Sequence, residues 1–133
     1  MVSRAKINYK EIGKRILEHV KNEVERIVKE LEKIDEEISE LEKQIEEIES
    51  QGVLQGWIEW KWVKNKVGKK YWYYYYRYRV NGKCKSVYIG KFVNPEISQA
   101  ISRNRIVKAL RRRIKILQEE RARLLAELER LRP

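Results

Sequence analysis

The chain has little of what most catalytic and metal sites require. Of its 133 residues one is cysteine, Cys84, and one is histidine, His19. A lone cysteine excludes an intrachain disulfide, and the two residues together cannot build a Cys/His metal cluster. A Ser-His-Asp or Cys-His site would have to use His19, which sits among Glu and Lys in a helically patterned stretch. A solvated helix position is the plain reading of it. No apolar run approaches the roughly 20 residues of a membrane-spanning helix. The opening "MVSRAKINYKEIGKRILEHV" lacks the apolar core of a signal peptide. These absences point to a soluble, cytoplasmic protein without a membrane partner. Asn, Gln, Cys and Met are scarce beside Lys, Glu, Arg, Ile and Tyr, the compositional lean of hyperthermophile proteins.

Acidic residues are missing from one region in particular. Residues 51–92 carry ten Lys and Arg but a single carboxylate, Glu59, a net of +9. Residues 1–50 carry ten basic and fourteen acidic groups, and residues 93–133 eleven and five. The overall charge of +11 is therefore concentrated in the middle of the chain and after it. Such an asymmetry marks a surface that faces a polyanion, for example a nucleoid location on DNA. With Glu59 alone in the middle segment, no phosphate-cradling glycine loop and no converging carboxylates, neither an enzyme nor a cofactor is expected.

What is present is periodic. Apolar residues recur at Leu17, Val20, Val24, Ile27, Leu31, Ile34, Ile38, Leu41, Ile45 and Ile48. Steps of three and four alternate without interruption, a heptad seam of coiled-coil type. The pattern predicts a helix of roughly 34 residues, about 50 Å long, stopped at Gly52. A second helix is predicted from Asn94-Pro95-Glu96, which supplies an N-cap, a first-turn proline and an acid at the positive end of the dipole. Its seam runs Ile97, Ala100, Val107, Leu110, Ile114, Leu117, Leu124, Leu128 and Leu131, with Asn104 and Arg121 at two seam positions. Two matched helices predict an antiparallel coiled-coil stalk with the intervening segment at its tip. Acidic flanks (Glu23, Glu30, Asp35, Glu37, Glu42) would pair across the seam with Arg111, Arg113 and Arg132. Val28, Ile106, Ile116 and Leu125 fall beside that seam, so either a homodimer or residues 1–16 would have to cover them.

The middle segment reads as sheet. "WIEWKWV" (57–63), "YWYYYYRYRV" (71–80) and "CKSVYI" (84–89) are aromatic and β-branched. "NKVGKK" makes the first turn, and Asn81-Gly82 is the strongest short signal of a hairpin. The prediction is an α+β chain: residues 1–50 hold the first helix, 51–93 a three-stranded antiparallel meander, 94–133 the second helix. Alternation places Trp72, Tyr74, Tyr76, Tyr78 and Val80 on one face of the middle strand, expected to pack on the stalk. Tyr71, Tyr73, Tyr75, Arg77 and Arg79 fall on the other. A two-residue turn sets Tyr76 against Val87, Tyr74 against Ile89, Arg77 against Ser86 and Arg79 against Cys84. A three-residue loop would slip the third strand and exchange its faces.

"YWYYYYRYRVNGKCKSVYIGK" resembles a pattern in small prokaryotic and archaeal coiled-coil proteins with a Tyr-rich sheet. It is also similar to the N-terminal arm-binding domain of tyrosine recombinases, over about residues 57–105. That family inserts its three-stranded sheet into the DNA major groove. The resemblance implies Tyr75, Arg77, Arg79 and Lys85 as DNA-facing. It does not imply a recombinase, because there is no catalytic domain and the coiled coil is foreign to the arm domain.

Three functions follow as expectations. The first is duplex DNA binding, with Lys61, Lys64, Lys66, Lys69, Lys70, Lys83, Lys85 and Lys91 on phosphates. Arg77 and Arg79 would reach base edges, and Tyr73 and Tyr75 are counted among the nucleic-acid-binding residues. The run 103–115, including Arg103 and Arg105, would add cations, unless it pairs with glutamates of the first helix. The second is single-stranded DNA or RNA binding, with Tyr71, Tyr73, Tyr75 and Trp57 stacking on bases. The third is an adaptor coiled coil whose aromatic sheet docks a protein, its lysines guarding the strand edges.

Overall fold

The structure is a computed structural model and describes residues 8–132. It is α+β: α1 (Tyr9–Ser50), β1 (Trp57–Lys64), β2 (Lys70–Val80), β3 (Lys83–Gly90) and α2 (Pro95–Arg130). The elements follow the order expected from the three chain segments. Their packing divides the chain differently. One compact unit joins α1 up to Glu40 with α2 from Ile114, and the other spans Leu41–Arg113.

Helix α1 starts about two turns before the point where the heptads become regular. The cause is Asn8, whose side-chain oxygen accepts from the Glu11 backbone N–H at 3.2 Å while its amide donates to the Glu11 carboxylate. This reciprocal pair satisfies an orphan N–H at the helix start. Residues 9–16 therefore continue α1 and do not cross over the stalk as a separate segment. Residues 1–7, the rest of that expected cover, lie outside the described range.

In the first unit the buried side chains are seam residues: Ile27 and Ile34 on α1, Ile114 and Leu117 on α2. Two cross-helix ion pairs show that the helices run antiparallel, Asp35 to Arg121 at 2.8 Å and Arg26 to Glu127 at 3.3 Å. Arg121 is thus tolerated in the seam because it turns its guanidinium to Asp35. The expected flank pairing is only partly realised. Glu23 and Glu30 both bond Arg26 on their own helix, at 3.1 Å each, and Arg132 bonds Glu129. Partners three and four residues away lie on the same helix face and are reached first. The Arg26 guanidinium, hydrogen-bonded to Glu23 and flanked by Glu30 and Glu127, has its pKa raised further. Leu17 is exposed, since Arg26 already reaches Glu127 and α2 ends at Arg130.

In the second unit Ile45, Ala100, Ile101, Asn104 and Val107 are buried, and Arg111 pairs with Glu49 across the helices. Gly52, at φ 95°, terminates α1. The Arg103 guanidinium donates to the carbonyls of Gln51 and Gly52 at 3.0 and 3.1 Å. It thereby satisfies oxygens that the helix end leaves open. The Leu54 N–H donates to the Ala100 carbonyl at 3.1 Å, tying the connecting loop to α2. Asn94 caps α2 by accepting from the Glu96 N–H at 3.0 Å.

The sheet is antiparallel in the order β1-β2-β3. Asn81 (φ 50°) and Gly82 (φ 78°) form the two-residue turn, and both positive angles are those of a type I′ hairpin. Tyr76 faces Val87, Arg77 faces Ser86 and Arg79 faces Cys84, as the two-residue turn requires. The fourth expected pair differs: Tyr74 faces Gly90, because a bulge between Tyr74 and Tyr75 takes up Ile89. An extra residue in one strand leaves no alternation signal behind it.

Candidate nucleic-acid interface

Cross-strand register sorts the sheet's side chains onto two faces, because directly paired residues point the same way. One face carries Trp57, Glu59, Lys61, Val63, Tyr71, Tyr73, Tyr75, Arg77 and Arg79, with Tyr88, Ser86 and Cys84 opposite them on β3. The other carries Ile58, Trp60, Trp62, Lys64, Lys70, Trp72, Tyr74, Tyr76 and Tyr78, with Val87, Lys85 and Lys83. The expected DNA-facing residues are therefore divided. Tyr73, Tyr75, Arg77, Arg79 and Lys61 share the first face, while Lys64, Lys70, Lys83 and Lys85 lie on the second. Of the set implied by the recombinase resemblance, Lys85 stands apart from Tyr75, Arg77 and Arg79.

On the first face Arg77 is not free. Its Nη1 donates to Glu59 at 2.6 Å and its Nη2 to the Cys84 sulfur at 3.2 Å. The bond to Glu59, then that to Cys84, raises its pKa. Its Nε is buried without a hydrogen-bond partner. The guanidinium is committed to the sheet and is poorly placed to reach a base edge. Arg79 lies 5.9 Å from the centre of the Trp57 ring and keeps its donors. Further along the same face, beyond Arg77, the tyrosines lock together: Tyr88 meets Tyr73 and Tyr75 edge-on at 5.4 and 5.7 Å, and Tyr71 stacks beside Tyr73.

The second face, expected to be packed, is covered only in its middle. Ile58 and Tyr74 line a cleft with Phe92, Val93 and Ser98, and Ile58 also lines a second cleft with Ile101 and Arg105 of α2. Tyr76 stacks on Tyr78, and its hydroxyl donates to the Gln55 carbonyl. Beyond this the face is open: Trp60 is 48% exposed, Trp72 45%, Val87 48% and Trp62 40%. Length is the reason. The eleven residues of β2 extend roughly 35 Å at strand rise, and one helix is only about 10 Å across.

The remaining expected residues sit as follows. Lys66 and Lys69 occupy the first turn and Lys91 the exit from β3; Lys69 rests on Tyr71. Arg103 caps α1, and Arg105 lines the Ile58 cleft. In the 103–115 run, internal pairing with the first helix holds for Arg111. What the sequence reasoning missed is the tryptophan face. The pairing of "WKW" with Trp72 was its available signal, obscured because that face was assigned to the core.

The fold defines the class, two antiparallel heptad helices with a basic, aromatic three-stranded sheet inserted between them. Residues 10–99 match the family model described as Domain of unknown function (DUF6788), and the chain belongs to that family. No curated protein and no solved structure matches it.

Proposed function

We propose that the protein binds duplex DNA through the sheet, gripping phosphates and reading sequence only weakly, with dimerisation carried by the helices. One observation carries this reading. Of the ten cations in residues 51–92, only Arg77 meets a carboxylate among the described residues. The lysines gather at both hairpin ends: Lys64, Lys66, Lys69 and Lys70 at one, Lys83 and Lys85 at the other. Two clusters spaced along a ribbon suit contact with the backbones that border a groove, and a sheet of this width fits the major groove. The similarity to recombinase arm domains supports the same mode of contact. With Arg77 held by Glu59, base contacts rest on Arg79, so positioning dominates over specification.

The test is fluorescence anisotropy of a short duplex against salt. Engaging about five phosphates gives a log-affinity slope near −4 to −5 against log salt. Lys83→Ala with Lys85→Ala flattens that slope by about 2, while Arg77→Ala leaves it unchanged. Weak binding that is flat from low to moderate salt removes the proposal.

A further inference from the structure

We propose that Trp60, Trp62 and Trp72 form a second surface, a stacking platform for the unpaired bases of single-stranded DNA. It lies on the sheet face opposite Arg77 and Arg79, and it shares Lys64 and Lys70, but none of its indoles, with the duplex reading. Three observations converge. The rings are exposed and near each other: Trp60 and Trp72 stack at 5.8 Å with planes 20° apart, and Trp60 meets Tyr74 at 4.4 Å. Exposed, nearly parallel indoles leave their outward π-faces for a base to cover.

Lys64 and Lys70 are directly opposed across the strands. Their ammonium groups lie 5.8 and 4.5 Å from the Trp62 ring centre. Like charges set directly opposite each other destabilise a sheet, and no carboxylate bonds either lysine among the described residues. The one acid of the sheet, Glu59, is on the other face. A phosphate between the two lysines relieves that repulsion while its base rests on the neighbouring indole. The patch offers lysines for the phosphates and indole faces for the bases, the chemistry common to unpaired strands, and an rU strand separates RNA from DNA.

The experiment uses the full chain with a dT oligonucleotide of about 12 nucleotides, an abasic strand of equal length, an rU strand and a duplex. Tryptophan quenching and anisotropy are the readouts, and circular dichroism checks the fold of each variant. Expected are quenching by dT but not by the abasic strand, and a loss of ~5- to 150-fold for Trp72→Ala, the range of one base–aromatic stack. Trp72→Phe retains most of the affinity, and duplex binding by Trp72→Ala stays within about twofold. Lys64→Glu with Lys70→Glu, both solvent-exposed, lowers dT affinity and removes the two ammonium groups from Trp62 while leaving the Trp60–Trp72 stack in place. Equal binding of dT and abasic strands overturns the proposal, as do equal losses for dT and duplex in Trp72→Ala. A marked preference for rU overturns the assignment to DNA. A wild-type dimer that Trp60→Ala or Trp72→Ala turns into monomer gives the face to a second copy and overturns it too. Loss of duplex binding with dT binding intact would remove only the duplex proposal.

Discussion

At the scale of single residues, the sheet depends on side chains whose roles local propensity does not announce. Tyr76 reads in the sequence as one of four consecutive tyrosines, yet it alone donates its hydroxyl to the loop that leaves α1, at Gln55. Beside it, Gly56 holds φ 108°, and a Cβ there would collide with the Arg77 carbonyl. Burial raises the Tyr76 pKa above its usual 10.0. The sign is therefore fixed. The stabilisation is fully present below about pH 10, where unfolded tyrosine is protonated, and it is lost as pH rises through the higher folded pKa. Tyr76→Phe should cost about 1 kcal/mol near neutrality, the worth of one hydrogen bond. The gap between wild type and variant should narrow above pH 10. Urea denaturation of both proteins across that range measures it, and a gap that is constant or widens contradicts the assignment.

At the scale of elements, each hairpin has its own organiser. The second turn is specified by Asn81-Gly82, and the register it sets holds from Val80 to Tyr75. The first turn is specified by Asn65. Its side-chain oxygen accepts from the N–H groups of Val67 and Lys69 at 3.0 and 2.9 Å, while Gly68 takes φ 81°. Asn65→Ala removes a partner from two backbone donors that water can still reach. A loss of roughly 1–2 kcal/mol follows, with earlier hydrogen exchange of Lys64 and Lys70 than of Tyr76 and Val87; equal protection of both pairs would argue against it. The elements themselves were legible because each was punctuated by local chemistry: Asn94-Pro95, Gly52 and Asn81-Gly82. The start of α1 is less legible, because Asn8 and Glu11 stand in cap spacing but the regular heptad begins only at Leu17. The site was less legible for a different reason. Alternation divides a strand into faces, but it does not say how far a supporting helix reaches. Nor does it reveal that Glu59, two residues along β1 from the partner of Arg77, would engage its guanidinium diagonally.

At the scale of the whole molecule, the question is what a long pair of helices adds to a small sheet. In the unit formed by α1 up to Glu40 and α2 from Ile114, the seam buries Ile27 and Leu117 almost completely. The same unit leaves Ile116 51% exposed, Leu125 40% and Val28 37%. Apolar residues left outside a two-helix seam are covered when another pair of helices packs against them, as in four-helix arrangements. The proposed dimer uses these three positions. Light scattering should then give about twice the 16.2 kDa of the chain. Ile116→Gln with Leu125→Gln should return the monomer mass while keeping the helical circular dichroism signal, because neither side chain belongs to the buried seam. A dimer also carries two sheets, and two linked weak contacts bind one long duplex more tightly than either alone, by on the order of 10²-fold. The monomeric variant should therefore lose affinity for a long duplex and keep it for one too short to engage both sheets. A wild-type chain that runs at its monomer mass at micromolar concentration would remove both halves of this expectation.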